Sequence, residues 1–289
     1  MSTRDDATPL PDPWSDEDFL PVERIFRSRS HGGTLTSQRL GLIRSRLKDR
    51  LESRGIASFA EFHELHLHAR TDGPGLQLLI DLTTVNHTSF FREAITLGKL
   101  ADHLAALVRS RIPGSAPVRV WSAGCSGGQE PYSLAMRVAE LLPGLPPSSI
   151  EIRATDISLE IVRSAARAIY QARELTELSP ERLRRFFLRG RATKQGTYRI
   201  TPEIRSLVTF QHFDLHRPSW PLQTAFDAIL CRNVAIYFTE AARPVLLDRL
   251  AQRLLPGGWL VVGNAEILPE RPGLLERIGP SIFRKVVAP

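Results

Sequence analysis

The chain has 289 residues, with 38 Lys and Arg against 31 Asp and Glu, a formal charge of +7. That length is enough for one large domain or two smaller ones, each with its own core, and 42% hydrophobic with 24% charged residues excludes a collagen-like or wholly disordered chain. The basic excess leaves three partner classes open: nucleic acid, an anionic membrane surface, or an acidic protein.

Residues 1–16 hold three prolines and no apolar periodicity, and are expected to form a disordered tail. The start has no apolar signal core, and two cysteines, Cys125 and Cys231, are too few for a disulfide framework. No apolar run approaches the ~20 residues that cross a bilayer. A cytoplasmic protein without membrane insertion is expected.

Residues 17–84 read as an all-helical N-terminal domain. Leu40, Ile43, Leu47 and Leu51 recur at steps of three and four, which places them on one helical face, and Gly55 suits the helix end. Ser58 with Glu61 three residues later has the pattern of a capping box. Gly73-Pro74-Gly75 ends that helix, and 76–84 reads as another. His63, His66 and His68 are metal ligands by type, but no cysteine or carboxylate cluster joins them, so no metal is expected.

Residues 85–117 read as a linker and helix, closing at Pro113-Gly114-Ser115-Ala116-Pro117. From residue 118 the period changes. Strand-like runs at 118–121, 150–156, 226–230, 259–262 and 282–287 alternate with helical patterns at 132–142, 158–168 and 240–255. Such alternation predicts an α/β fold, a doubly wound and mostly parallel sheet. Gly190, Gly196 and the strand-like Thr197-Tyr198-Arg199-Ile200 interrupt it, so a small β-subdomain inserted at about 172–212 is expected.

A doubly wound sheet binds its ligand outside the carboxyl ends of the strands, and three polar features stand there. The glycine-rich turn from Gly124 to Gly128 lets backbone N–H groups approach a ligand closely. Asp156 can accept both hydroxyls of a ribose. Cys231-Arg232-Asn233 follows the third strand. Glu130 sets a negative charge at the helix start where a pyrophosphate would sit, which argues against a dinucleotide and for a nucleoside carrying a positive group, S-adenosylmethionine. Glu130 is also suited simply to stabilise the first helical turn.

Four motifs in order, Asn86-His87-Thr88-Ser89-Phe90-Phe91-Arg92-Glu93, Trp121-Ser122-Ala123-Gly124-Cys125-Ser126-Gly127-Gly128-Gln129-Glu130-Pro131-Tyr132-Ser133, Ala154-Thr155-Asp156-Ile157-Ser158 and Cys231-Arg232-Asn233-Val234-Ala235-Ile236-Tyr237-Phe238, closely resemble the CheR family of chemotaxis receptor methyltransferases. The resemblance implies a Rossmann-like S-adenosylmethionine-dependent methyltransferase domain over 118–289, carrying the inserted β-subdomain and preceded by the helical domain. It implies Arg92 and Tyr237 as catalytic residues facing the substrate. It implies cofactor contacts from Asn86, Thr88, Arg92, Gly124, Glu130, Asp156, Asp214, Leu215, Cys231, Arg232 and Asn233. Where the family has Gly-Glu-Glu, Asn-Leu and Gly-x-Ser-Glu, this chain has Gly128-Gln129-Glu130, Asp214-Leu215 and Gly263-Asn264-Ala265-Glu266.

By the same resemblance the product is a glutamate methyl ester with S-adenosylhomocysteine, and the partner is the cytoplasmic helices of membrane chemoreceptors, met by a monomer. Two rivals stand beside it, a nucleic-acid methyltransferase and a non-catalytic module that senses the cofactor. Amino-methylating members of the first class resemble one another in an Asp/Asn-Pro-Pro-Tyr turn where this chain has Cys231-Arg232-Asn233-Val234, and no platform of interleaved aromatic and basic residues is visible. The charge is local: residues 24–54 hold nine cations against two acids, and 181–205 eight against two. On the helix of 37–55, Arg39, Arg46 and Arg50 flank the apolar stripe on one side and Arg44 and Lys48 on the other, an expected docking face for acidic receptor helices.

Overall fold

Apolar residues at helical spacing build the first of the two units into which the chain divides, Met1–Thr84 and Val85–Pro289. The computed structural model describes residues 12, 14–29, 37–67, 74–83, 88–112, 114–220, 224–266 and 271–287. In the first unit α1 (Asp16–Arg29), α2 (Ser37–Glu52), α3 (Phe59–Phe62, running into a π turn at His63–Leu67) and α4 (Pro74–Thr83) enclose Phe19, Val22, Leu47, Leu51, Phe59 and Phe62. The end signals act as their chemistry requires. Gly55 takes a left-handed φ of 75°, which lets the Ile56 N–H reach the Leu51 carbonyl at 3.1 Å. Ser58 Oγ accepts the Glu61 N–H at 2.9 Å, and Glu61 reaches back to the Ala57 N–H at 2.6 Å.

Trp14 packs edge-on against Phe59 with ring centroids 4.9 Å apart, so packed chain begins before residue 16, where the tail was expected to end. The rest of that expected tail, 1–11 and 13, lies outside the described residues. Three cations of α2 have partners within this unit. Arg44 pairs with Asp16, Lys48 stands 4.0 Å from Glu52, and Arg50 Nη1 donates to the Asp81 carbonyl at 2.7 Å. Arg46 is half-buried, and the side chain of Arg39 lies outside the described residues.

The second unit runs α5 (Ala94–Ser110), β1 (Val118–Ala123), α6 (Gln129–Leu141), β2 (Ile150–Asp156), α7 (Leu159–Arg167), β3 (Ile169–Gln171), α8 (Pro180–Phe186), β4 (Phe187–Arg189), β5 (Thr197–Ile200), α9 (Pro202–Arg205), β6 (Val208–His212), β7 (Phe226–Cys231), α10 (Ala242–Gln252), β8 (Leu254–Val262), β9 (Leu275–Gly279) and β10 (Ile282–Lys285). Seven strands make one sheet in the order β6-β2-β1-β7-β8-β10-β9. The first five are parallel, and β10 runs antiparallel to both of its neighbours. The expected insertion of 172–212 is displaced. The separate three-stranded sheet is β3-β5-β4, which starts at Ile169, and Val208–His212 belongs to the main sheet, paired with β2 from Ile152↔Val208 onward. Strands β6 and β9 lack the unbroken apolar character of a central strand because each lies at or near a sheet edge, where one side is wet.

Alternation along β1 sends Val118 and Val120 to one apolar layer with α5 and α6, and Trp121 and Ala123 to the other with α10. Trp121 is fully buried. Its ring meets Phe213 and Trp220 edge-on at 5.7 and 5.5 Å, and its indole N–H donates to Thr155 Oγ1 at 2.9 Å. No helix among the described residues is long and apolar enough to cross a membrane. Trp121→Ala is expected to cost about 3–5 kcal/mol, read as a lowered urea midpoint at unchanged slope.

Candidate active site

The strand order reverses between β1 and β7: from β1 the chain steps out to β2 and β6 on one side, and from β7 to β8 on the other. A crevice therefore opens beyond the carboxyl ends of β1 and β7. On the β1 side stands the glycine turn. The N–H groups of Gly124 and Cys125 both donate to the Thr155 carbonyl at 2.8 Å. Gly124 has φ 84°, and a Cβ there would overlap a methyl of Val234, so the turn after β7 can close on it only if the side chain is hydrogen. Gly128, at φ 87°, begins α6.

Two carboxylates brace these turns. Asp156 accepts the Ser126 N–H at 2.9 Å on one oxygen and the Ser158 N–H at 3.0 Å on the other. Burial pushes its carboxyl up and the backbone donors offset part of that. Glu266 accepts N–H groups from Gly263 at 2.7 Å, Asn233 at 2.9 Å and Ala235 at 2.8 Å. One side chain thus ties the turn after β7 to the turn after β8.

Beneath the crevice lies a buried ion cluster. Arg232, with its side chain 3% exposed, places Nη1 3.1 Å from Glu130 Oε2 and Nη2 3.0 Å from Glu93 Oε2. Nη2 also donates to the Arg92 carbonyl at 2.8 Å. Glu130 takes a further bond from Ser122 Oγ at 2.7 Å. Burial raises the Glu130 carboxyl, Arg232 and Ser122 work against it, and Glu93 adds to the rise. The cluster thus sets two carboxyl groups against one guanidinium.

The backbone around it is strained. Phe91, Glu93, Ser126 and Asn233 all have left-handed φ, between 49° and 58°, a conformation that costs a non-glycine residue of order 1–3 kcal/mol and persists only where surrounding contacts impose it.

Of the residues singled out in the sequence, Thr88, Arg92, Gly124, Glu130, Arg232 and Asn233 line one small cavity, together with Phe91 and Ser133. Arg92 is exposed at its mouth, and Arg232 is buried below it. Asp156 lies behind the glycine turn. Asp214 follows β6 and accepts the His216 N–H at 2.8 Å, while Leu215 and Cys231 are buried in the Trp121 layer. Tyr237 is half-buried in the single turn Ala235–Tyr237 after β7. None of these five is among the residues lining the cavity, and Asn86 lies outside the described residues. Cys125 and Cys231 are both buried, with thiols pushed well up by burial, as befits small packing residues. Glu93 and Glu266 were not singled out, although both stand in quoted motifs. A carboxylate that braces distant backbone has no local signature.

A family model described as "CheR methyltransferase, SAM binding domain" matches residues 86–282. A "Chemotaxis protein methyltransferase 2" of Pseudomonas aeruginosa is 34% identical over 268 residues, 92% of this chain and 92% of the relative. The "Chemotaxis protein methyltransferase" of Escherichia coli K12 is 36% identical over 252 residues, 87% of this chain and 85% of that one. The chain belongs to the CheR methyltransferase family. Its α/β fold is the Rossmann-like one expected, and its cofactor is S-adenosylmethionine. The CheR site here fits a cation-bearing nucleoside. Its buried cluster sets two carboxylates against one guanidinium, and Ser126 Oγ and Gln129 Oε1 are buried beside the glycine turn without a partner in the protein, two polar atoms a ligand can satisfy.

Arg232→Met would leave Glu130 and Glu93 buried without their cation, a loss of about 3–5 kcal/mol at neutral pH. A carboxyl whose folded value is raised stabilises the fold below its unfolded value and loses that contribution as pH rises through the folded one. The difference between variant and parent should therefore shrink below the ordinary glutamate value of 4.5, as urea titrations at acid and neutral pH would show.

Proposed function

We propose that this methyltransferase esterifies glutamate side chains on the cytoplasmic helices of membrane chemoreceptors. The chemotaxis names of the relatives support that substrate class. The observation that carries the reading is the charge layout of the cavity: an exposed guanidinium, Arg92, at the mouth, and a buried cluster of two carboxyl groups against one guanidinium beneath it. A carboxylate is drawn to the mouth and a cationic ligand to the floor, so two oppositely charged reactants meet in a fixed order.

A glutamate carboxylate, with an unperturbed pKa of about 4.3, is already ionised at neutral pH, so no general base is required. Bound S-adenosylmethionine supplies an electrophilic methyl on a sulfonium, and transfer yields the glutamate methyl ester and S-adenosylhomocysteine. The charges of the reactants cancel as they react, so the protein's contribution is orientation and water exclusion, not stabilisation of new charge. Arg92 orients the carboxylate, with Tyr237 on the turn after β7 as its hydrogen-bonding companion. Glu130 holds the cationic end of the cofactor, and Asp156, with Thr88 and the glycine turn, its ribose side. The α2 helix, with Arg46 and Arg50 on one flank, is the docking face for acidic receptor helices.

Arg92→Ala should slow methyl transfer to receptor-containing membranes by about 100-fold while S-adenosylhomocysteine affinity, read by isothermal titration, changes little. The product is read as base-labile label released as methanol, and an unaltered rate would sink the assignment. A second outcome concerns pH. The anionic form of Glu130 holds the α-ammonium that S-adenosylmethionine and S-adenosylhomocysteine share, and burial sets its carboxyl above the ordinary 4.5. S-adenosylhomocysteine affinity should therefore rise with pH through that elevated value, and Glu130→Gln should bind more weakly with a flatter profile.

A further inference from the structure

The inserted three-stranded sheet grips the segment that carries Arg92. Phe90 is fully buried, and its ring meets Tyr170 of β3 at 4.9 Å and Phe187 of β4 at 5.6 Å, both edge-on. Tyr170 also donates its hydroxyl to the Gly127 carbonyl at 2.8 Å, so the same strand touches the glycine turn. The next residue, Phe91, lines the cavity and is held in a left-handed conformation at φ 56°. Its N–H donates to Ser133 Oγ at 2.9 Å, and its ring lies 3.8 Å from the centre of the Arg182 guanidinium. Arg182 stands on α8, the helix leading into β4, and its Nε and Nη2 fork onto the two oxygens of Glu140 on α6 at 2.7 and 3.0 Å.

We propose that Arg182 is a positioning residue for methyl transfer: anchored on Glu140, it clamps the ring of Phe91 and so holds Arg92 in place at the cavity mouth. The inference rests on the role given to Arg92 above. The left-handed φ of Phe91 is one a non-glycine residue rarely adopts unaided, so the holds on Phe91 and on the Arg92 backbone help set the direction of Arg92. On one side Arg232 binds the Arg92 carbonyl from below. On the other, Arg182 fixes the ring of Phe91. A guanidinium alone among side chains offers a carboxylate fork and a flat cationic face together. Lysine at 182 would keep the charge opposite Glu140 and lose both the fork and the stack.

The test is a cycle between Arg182→Lys and Arg92→Ala, with transfer kinetics on receptor-containing membranes and S-adenosylhomocysteine affinity measured for each protein. Arg182→Lys should lower kcat by about tenfold with the KM for cofactor and the S-adenosylhomocysteine affinity within about twofold of the parent, which also reports an intact fold. In the Arg92→Ala background the same change should have no further effect on kcat, because Arg182 acts through Arg92. Unchanged kcat in Arg182→Lys, or losses that simply multiply in the double variant, would overturn the proposal. A full-rate Arg92→Ala protein beside a slow Arg182→Lys protein overturns instead the role of Arg92, and with it the route assigned to Arg182.

Discussion

A guanidinium buried to 3% exposure needs close partners of opposite charge, since removing a cation from water costs several kcal/mol that only nearby acceptors return. Arg232 finds them in Glu130 at the start of α6, in Glu93 at the start of α5, and in the carbonyl of Arg92, 140 residues away in sequence. This requirement draws three distant segments to one point. The left-handed backbones of Phe91 and Glu93 are tolerable because the cluster will not allow them to relax without stranding a charge. The same cluster defines the floor of the cavity.

Around it, carboxylates hold backbone. Asp156 ties the glycine turn to the start of α7, and Glu266 ties the turn after β7 to the turn after β8. Loops at the mouth of a parallel sheet have no ladder of their own, so these charge-assisted bonds stand where sheet hydrogen bonds end. Gly124 allows the two turns to meet at Val234 with nothing between them. A site made in this way is stiff before any ligand arrives, which suits a reaction whose barrier is lowered by orientation and dryness.

The overall charge and the local charge point in opposite directions, and the local one governs the chemistry. The chain is basic at +7, yet its cavity has a floor of two carboxyl groups against one guanidinium and a single exposed cation, Arg92, among the described lining residues. Much of the basic surface of α2 is matched nearby, Arg44 by Asp16 and Lys48 by Glu52. Net charge therefore says little about the reaction, although it bears on the partner that approaches.

What the sequence by itself determined was local: the stripe of α2, the cap at Ser58, the glycine turn, the alternation of strand and helix, and motifs specific enough to point to the family. Each depends on residues a few positions apart, whose spacing is a direct physical consequence of 3.6 or 2 residues per repeat. Strand β6 was read as part of an insertion because an edge strand shows weak alternation and its neighbour, β2, lies far back in the chain. Arg232 was visible as a residue of the pocket but not as its buried hub, and Glu93, Glu266 and Arg182 gave no sign of their work. Their roles lie in contacts with backbone or rings tens to more than a hundred residues away, and only the closing of the sheet decides which of those groups come within 3 Å.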